Sequence, residues 1–186
     1  ATVLLDDKFG DGPRNNQNLP SDSAWFASSG ALVTAAPGAM PMAMSGGAIL
    51  GVTYFAPPNN PISLSIGDTL LTTINFIFNG VDTTNSSTGF RVALCDFSTN
   101  RATADLSSNS GQGTNVPAYA VFQNMSATFS SLSPISLLVR TNLGGPSLLS
   151  ASSNWIAFVA GPGTASSFTG FTSGTFLVAG RAVPGV

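Results

Sequence analysis

Short apolar-rich runs, each closed by glycine, proline or asparagine, follow one another along the whole chain, and no stretch of eleven or more residues carries a helical period. That punctuation constrains the fold more than any other feature, because a chain that turns this often has room for strands and little room for helices. The expected strands are Thr2–Leu5, Ala24–Ser28, Ala31–Ala35, Ala39–Met44, Ala48–Phe55, Ile62–Ile66, Thr69–Phe78, Phe90–Phe97, Ala118–Met125, Ala127–Ser131, Ile135–Thr141, Ser147–Ser150, Trp155–Ala160 and Thr175–Val183. The breaks between them have turn chemistry, as in Gly10-Asp11-Gly12-Pro13, Gly67-Asp68, Asn79-Gly80 and Gly144-Gly145-Pro146. Many short strands with regular turns predict an all-β fold, an antiparallel two-sheet sandwich formed by a single domain over residues 1–186.

The clearest segment is Ile62–Phe78. Apolar and polar residues alternate up to Ile66, Gly67-Asp68 interrupts, and the pattern resumes with Leu70, Thr72, Ile74, Phe76 and Phe78 on one face. The opposite face, Leu71, Thr73, Asn75 and Ile77, is mixed, as on a partly covered sheet. Residues Ile74, Phe76, Phe78, Val92, Leu94, Phe122, Leu138 and Phe158 are the expected core. Val81–Gly89 and Asn100–Pro117 read as surface loops.

Charge is scarce. Charged residues make up 8% of the chain, with no glutamate, no histidine and one lysine, Lys8, where soluble domains carry about a quarter. The polar surface must be built from Ser, Thr and Asn, and such a surface lacks the charge repulsion that keeps proteins apart. Five scattered arginines give no basic stripe, so nucleic acid is not an expected partner. No apolar run reaches the ~20 residues of a membrane-spanning helix. An opening Ala1-Thr2 without methionine resembles the product of signal-peptide cleavage and suggests export. Cys95 is alone, so it forms no internal disulfide, and its strand-like setting predicts a buried, inert thiol.

Catalysis has little to draw on. A Ser-His-Asp triad and histidine-based zinc sites are excluded by composition, and only an aspartate pair such as Asp96 with Asp105 offers acid–base chemistry. Three of the eight aspartates, Asp6, Asp7 and Asp11, lie in one glycine-bearing corner, where carboxylates and main-chain carbonyls could together hold calcium. The spacing is not that of an EF-hand, and the plainer reading is a turn whose aspartates bond locally and pair with Arg14. Trp25, Tyr54, Tyr119 and Trp155 are the aromatic residues suited to stacking on sugars, although both tryptophans sit in apolar runs that favour burial. Asn85 and Asn124 head glycosylation sequons.

The segments Asp6–Phe26, Leu64–Gly80 and Ser87–Arg101 resemble a family of exported bacterial β-sandwich proteins known from Verrucomicrobia-like genomes, many with a C-terminal PEP-type sorting signal. The resemblance rests on Asp7-x-Phe9-x-Asp11-Gly12-x-Arg14, Asn18-Leu19-Pro20, Ala24-Trp25-Phe26, Ile66-Gly67-Asp68-x-Leu70 and Gly89-Phe90-Arg91-x-Ala93-Leu94, where Ala93 replaces the usual glycine. It covers about the first 100 residues and implies a concanavalin-like jelly roll in an extracellular setting, but no particular activity. No sorting segment is seen after Arg181, so processing or another route to the surface is expected.

Two functions compete on these grounds. The first is a non-enzymatic subunit of a self-assembling filament, sheath or matrix fibre at the cell surface, with Thr2, Val3, Leu4 and Leu5 as a strand donated to a second copy. The second is a calcium-supported, lectin-like module that binds extracellular polysaccharide.

Overall fold

The computed structural model describes residues 1–34, 36–43, 47–80, 89–97, 101–108, 112–124, 135–140, 143–148, 155–160 and 173–181, the last two ranges as backbone. Among the described residues there are eight strands: β1 (Trp25–Ala27), β2 (Gly51–Thr53), β3 (Thr69–Ile77), β4 (Gly89–Cys95), β5 (Ala118–Asn124), β6 (Ile135–Arg140), β7 (Trp155–Ala160) and β8 (Ser173–Arg181). Among the described residues the one helical element is a three-residue 3-10 turn, Gly30–Leu32. The strands form three antiparallel sheets, β1-β2, β3-β8 and β4-β5-β6-β7. The chain divides into two compact units. Unit 1 comprises Ala1–Ile62, Asp96–Pro117 and Asn142–Asn154, and unit 2 comprises Ser63–Cys95, Ala118–Thr141 and Trp155–Val186.

In unit 2 the strongest sequence pattern gives the most regular strand. Gly67 adopts φ +95°, a conformation that glycine reaches without a Cβ clash, and the Asp68 carboxylate accepts the Ser65 N–H at 2.7 Å. This turn launches β3, whose nine residues alternate strictly between exposed and half-buried and all pair with β8. The inner face of β3 meets β4 through aromatic rings: Phe90 lies 5.2 Å from both Phe76 and Phe78, edge-on to the latter. On β5 and β6 the pleat collects Ala118, Ala120 and Leu138 into a buried cluster with Cys95 and Phe122. Buried Ser136 and Arg140 share that face by register.

Of the expected core, Leu138 is buried, while Ile74, Phe76, Phe78, Val92, Leu94 and Phe122 are only half-buried, and the Phe158 side chain lies outside the described residues. The difference has a simple cause. A two-stranded ribbon such as β3-β8 is too narrow to seal the faces of the strands around it.

Unit 1 departs further from strand expectations. Ala24–Ser28 and Ala48–Phe55 shrink to the three-residue β1 and β2, and the described residues of the next two expected strands, 31–34 and 39–43, hold the end of the 3-10 turn and isolated bridges, Val33 with Met42 and Ala36 with Ala39. Thr2–Leu5 and Ile62–Ile66 form no strand. A strand-like sequence is insufficient for a ladder without a neighbouring strand to complete the hydrogen bonds. The short β1-β2 ribbon still sorts its side chains: Phe26, Val52 and Tyr54 pack with Leu50, Phe97, Ala102 and Leu106, while Trp25 points the other way. Ala127–Ser131 lies outside the described residues.

Candidate functional site: the acidic N-terminal corner

The corner singled out by its aspartates is built around Trp25 and Arg14. Asp7 is fully engaged there: one oxygen accepts the Phe9 N–H at 2.8 Å and the other accepts the Trp25 indole N–H at 2.8 Å. The Phe9 ring lies 5.9 Å from Trp25, and Phe9 itself has φ 52°, so the turn is held by its contacts rather than by local preference. Gly12, at φ +91°, lets the chain bend back. Arg14 then reaches inward, donating Nε to the Val33 carbonyl at 2.9 Å, Nη1 to the Trp25 carbonyl at 2.6 Å and Nη2 to the Gly30 carbonyl at 3.4 Å.

The same guanidinium forks onto Asp105, with Nη1 at 2.7 Å from Oδ1 and Nη2 against Oδ2. Asp105 also accepts the Ala27 N–H at 3.0 Å, and the Leu106 N–H bonds to the Ala27 carbonyl at 2.9 Å. The hydrogen bonds from Arg14 hold the Asp105 carboxyl below the usual carboxylate range against the opposing effect of burial, and the Ala27 N–H adds to them. Reciprocally, bonding to Asp105 raises Arg14. Four segments thus meet on one ion pair.

Facing solvent, the corner opens into a cleft of about 460 Å³ lined by Asp6, Asp7, Asp11, Asp22, Asn18 and Ser21, among others. Its far wall is the Asn18–Asp22 turn, in which the two residues bridge, and the Asp6 N–H ties the N-terminal segment to the Pro20 carbonyl at 2.6 Å. Burial, then a hydrogen bond to Asp11, push the Asp22 carboxyl upward; the Ser23 N–H opposes this, and the charges of Asp11 and Asp7 add to it. Asp22 is a residue that sequence reasoning missed, since it belongs to a separate turn that only the fold brings opposite Asp11.

The three aspartates proposed for calcium therefore border one cleft, but each has a protein partner. Asp6 pairs with Lys8 at 3.2 Å, Asp7 is engaged as above, and Asp11 accepts the Asn16 side-chain N–H at 2.7 Å. Among the described residues no three acidic or thiol groups converge closely enough to hold a metal ion. Of the two aspartates considered for acid–base chemistry, Asp105 is bonded to Arg14 and Asp96 is exposed.

The aromatic candidates are divided between the units, Trp25 and Tyr54 in unit 1 and Tyr119 and Trp155 in unit 2. Tyr54 is buried in the core of unit 1, its hydroxyl accepting the Ala102 N–H at 2.6 Å and its ring covered by the Arg101 guanidinium at 4.0 Å. Trp25 is half-buried with its N–H spent on Asp7. Tyr119, on β5, is 56% exposed. Trp155 opens β7, and its side chain lies outside the described residues, as do Asn85 and the side chain of Asn124, the last residue of β5. Thr2–Leu5, expected as a donated strand, joins no ladder in its own chain; Val3 is exposed and Leu4 and Leu5 are half-buried. Burial pushes the Cys95 thiol up to about 12, in keeping with an inert group.

No protein-family model, curated protein or solved structure matches the chain.

Proposed function

We propose that the chain is a non-enzymatic structural protein of the cell surface or extracellular matrix that self-associates through uncharged β-surface. In this reading unit 2 is a sandwich, with β3-β8 as one layer and β4-β5-β6-β7 as the other; the contacts of Phe76 and Phe78 with Phe90 support that layering. The observation that carries the proposal is the outward side of β3, where Ile77 is 81% and Leu71 is 60% exposed. Ile62, Leu64 and Ile66, just before it, are exposed as well, and the segment Ile62–Gly80 contains one charge, Asp68. Edge and face protection in β-proteins normally rests on lysine and other charges, and here it is missing.

Sedimentation velocity over a concentration series, with electron microscopy of the same samples, tests this reading. Wild-type protein should form concentration-dependent polymers, and Leu71→Lys with Ile77→Lys should leave a β-rich monomer. A wild type that stays monomeric throughout, or a double variant that polymerises normally, refutes it.

The acidic cleft favours a second reading, a calcium-supported module that binds extracellular polysaccharide. Calcium there requires Asp11 and Asp22 to exchange their present hydrogen bonds for the ion, together with main-chain carbonyls of the corner.

A further inference from the structure

We propose that Asn79 is a site of spontaneous, non-enzymatic conversion to aspartate and isoaspartate, a chemical modification independent of the assembly reading. The dipeptide Asn-Gly occurs once in the 186 residues, at Asn79-Gly80. The ladder of β3 ends at Ile77, so Asn79 is released from the extended, paired backbone that holds Asn75 opposite Thr175. Both Asn79 and Gly80 are exposed, Gly80 has φ +68°, and the position a Cβ would occupy on Gly80 has no atom within 4 Å.

Those features matter because the reaction is an attack by the following backbone nitrogen. The Gly80 nitrogen bonds to the Asn79 side-chain carbonyl carbon, the bond from that carbon to the amide nitrogen breaks, and ammonia leaves with the proton that Gly80 gives up. The resulting five-membered succinimide is opened by water at either carbonyl, giving aspartate or isoaspartate. A residue with a Cβ shields its own nitrogen, and glycine does not. Asn15, Asn16, Asn18 and Asn59 are also exposed, but each is followed by a residue with a side chain, and Asn60 is followed by proline, which has no N–H. The product places a carboxylate, and in the isoaspartyl form an extra backbone carbon, at the end of the stretch Thr69–Gly80, which carries no charge.

The test is to hold the full chain in mildly alkaline buffer at physiological temperature and follow each asparagine by peptide mapping with mass spectrometry and an isoaspartate-specific methylation assay. The acid form should accumulate at residue 79 ahead of every other asparagine, as both isomers. Asn79→Gln, which retains an amide but forms a less favourable ring, should stop the change without altering the fold. Urea-unfolded chain serves as a reference for intrinsic reactivity. Persistence of the Asn79 amide in folded protein after the unfolded chain has converted, or earlier conversion of another asparagine, overturns the proposal.

Discussion

Replacing Arg14 with alanine should destabilise unit 1 by about 3 kcal/mol, from ~1 kcal/mol for each strongly bonded carbonyl left unpaired and a similar amount for a partly exposed ion pair. The carbonyls are those of Trp25 and Val33, and the long contact to Gly30 adds little. The pair with Asp105 is discounted because the Asp105 side chain is 40% exposed, although that of Arg14 is only 16% exposed. Arg14→Lys keeps the charge but not the fork, and should fall between wild type and alanine. Urea unfolding followed by tryptophan fluorescence and circular dichroism reads the effect. The pH dependence gives an independent check. Asp105 is depressed in the fold, so its contribution is present above the unfolded carboxylate value, about 3.9, and is lost as pH falls through the folded one. Arg14→Ala should flatten that acid limb. A change within about 0.5 kcal/mol of wild type, the range of an ordinary surface substitution, would refute the idea that four segments depend on this ion pair.

Gly30→Ala should mimic much of that loss, because its Cβ would overlap the Asp105 carboxylate and come within 3.0 Å of Arg14 Nη2; a wild-type melting curve would show that the pair can move aside. Asp22→Asn should raise the melting temperature at neutral pH. The folded Asp22 carboxyl is raised, so its contribution is greatest below the unfolded value and is lost as pH rises through the folded one, and the gain from the variant should vanish in acid. Calcium titration followed by chelator separates the two functional readings: a melting temperature indifferent to both supports the structural one, and a calcium-dependent rise supports the module. Deleting Ala1–Leu5 should leave polymers intact if β3 carries assembly, and should abolish them if the N-terminal segment is donated to a neighbour.

What was legible in the sequence is the part governed by local pattern. Strict alternation over Thr69–Ile77, with Gly67-Asp68 before it, specified β3 almost to the residue, and Trp155–Ala160 emerged with the expected bounds. The same alternation misled at Ile62–Ile66, since a strand also needs a partner and the sequence of one segment does not reveal whether another is free to pair. The acidic corner was visible as a cluster of carboxylates, but its organising contact was not. Asp105 lies 91 residues from Arg14, in a segment read as a loop, and nothing near it announces the pairing. The burial of Tyr54 was hidden for a related reason: nothing in its own segment announces that the Ala102 N–H, 48 residues on, is brought to its hydroxyl.

The pairing of β3 with β8 has a consequence for how the molecule is made. Every ladder bond of β3 waits for a segment about a hundred residues further on, a closure whose entropic cost precedes any reward. The meander β4-β5-β6-β7 can zip as neighbouring strands emerge, whereas the backbone N–H and C=O groups of β3 lack their ladder partners until β8 has been synthesised. Unit 1 is interleaved in the same way, because Arg14 awaits Asp105. A ribosome-bound chain therefore cannot complete either unit in order of synthesis.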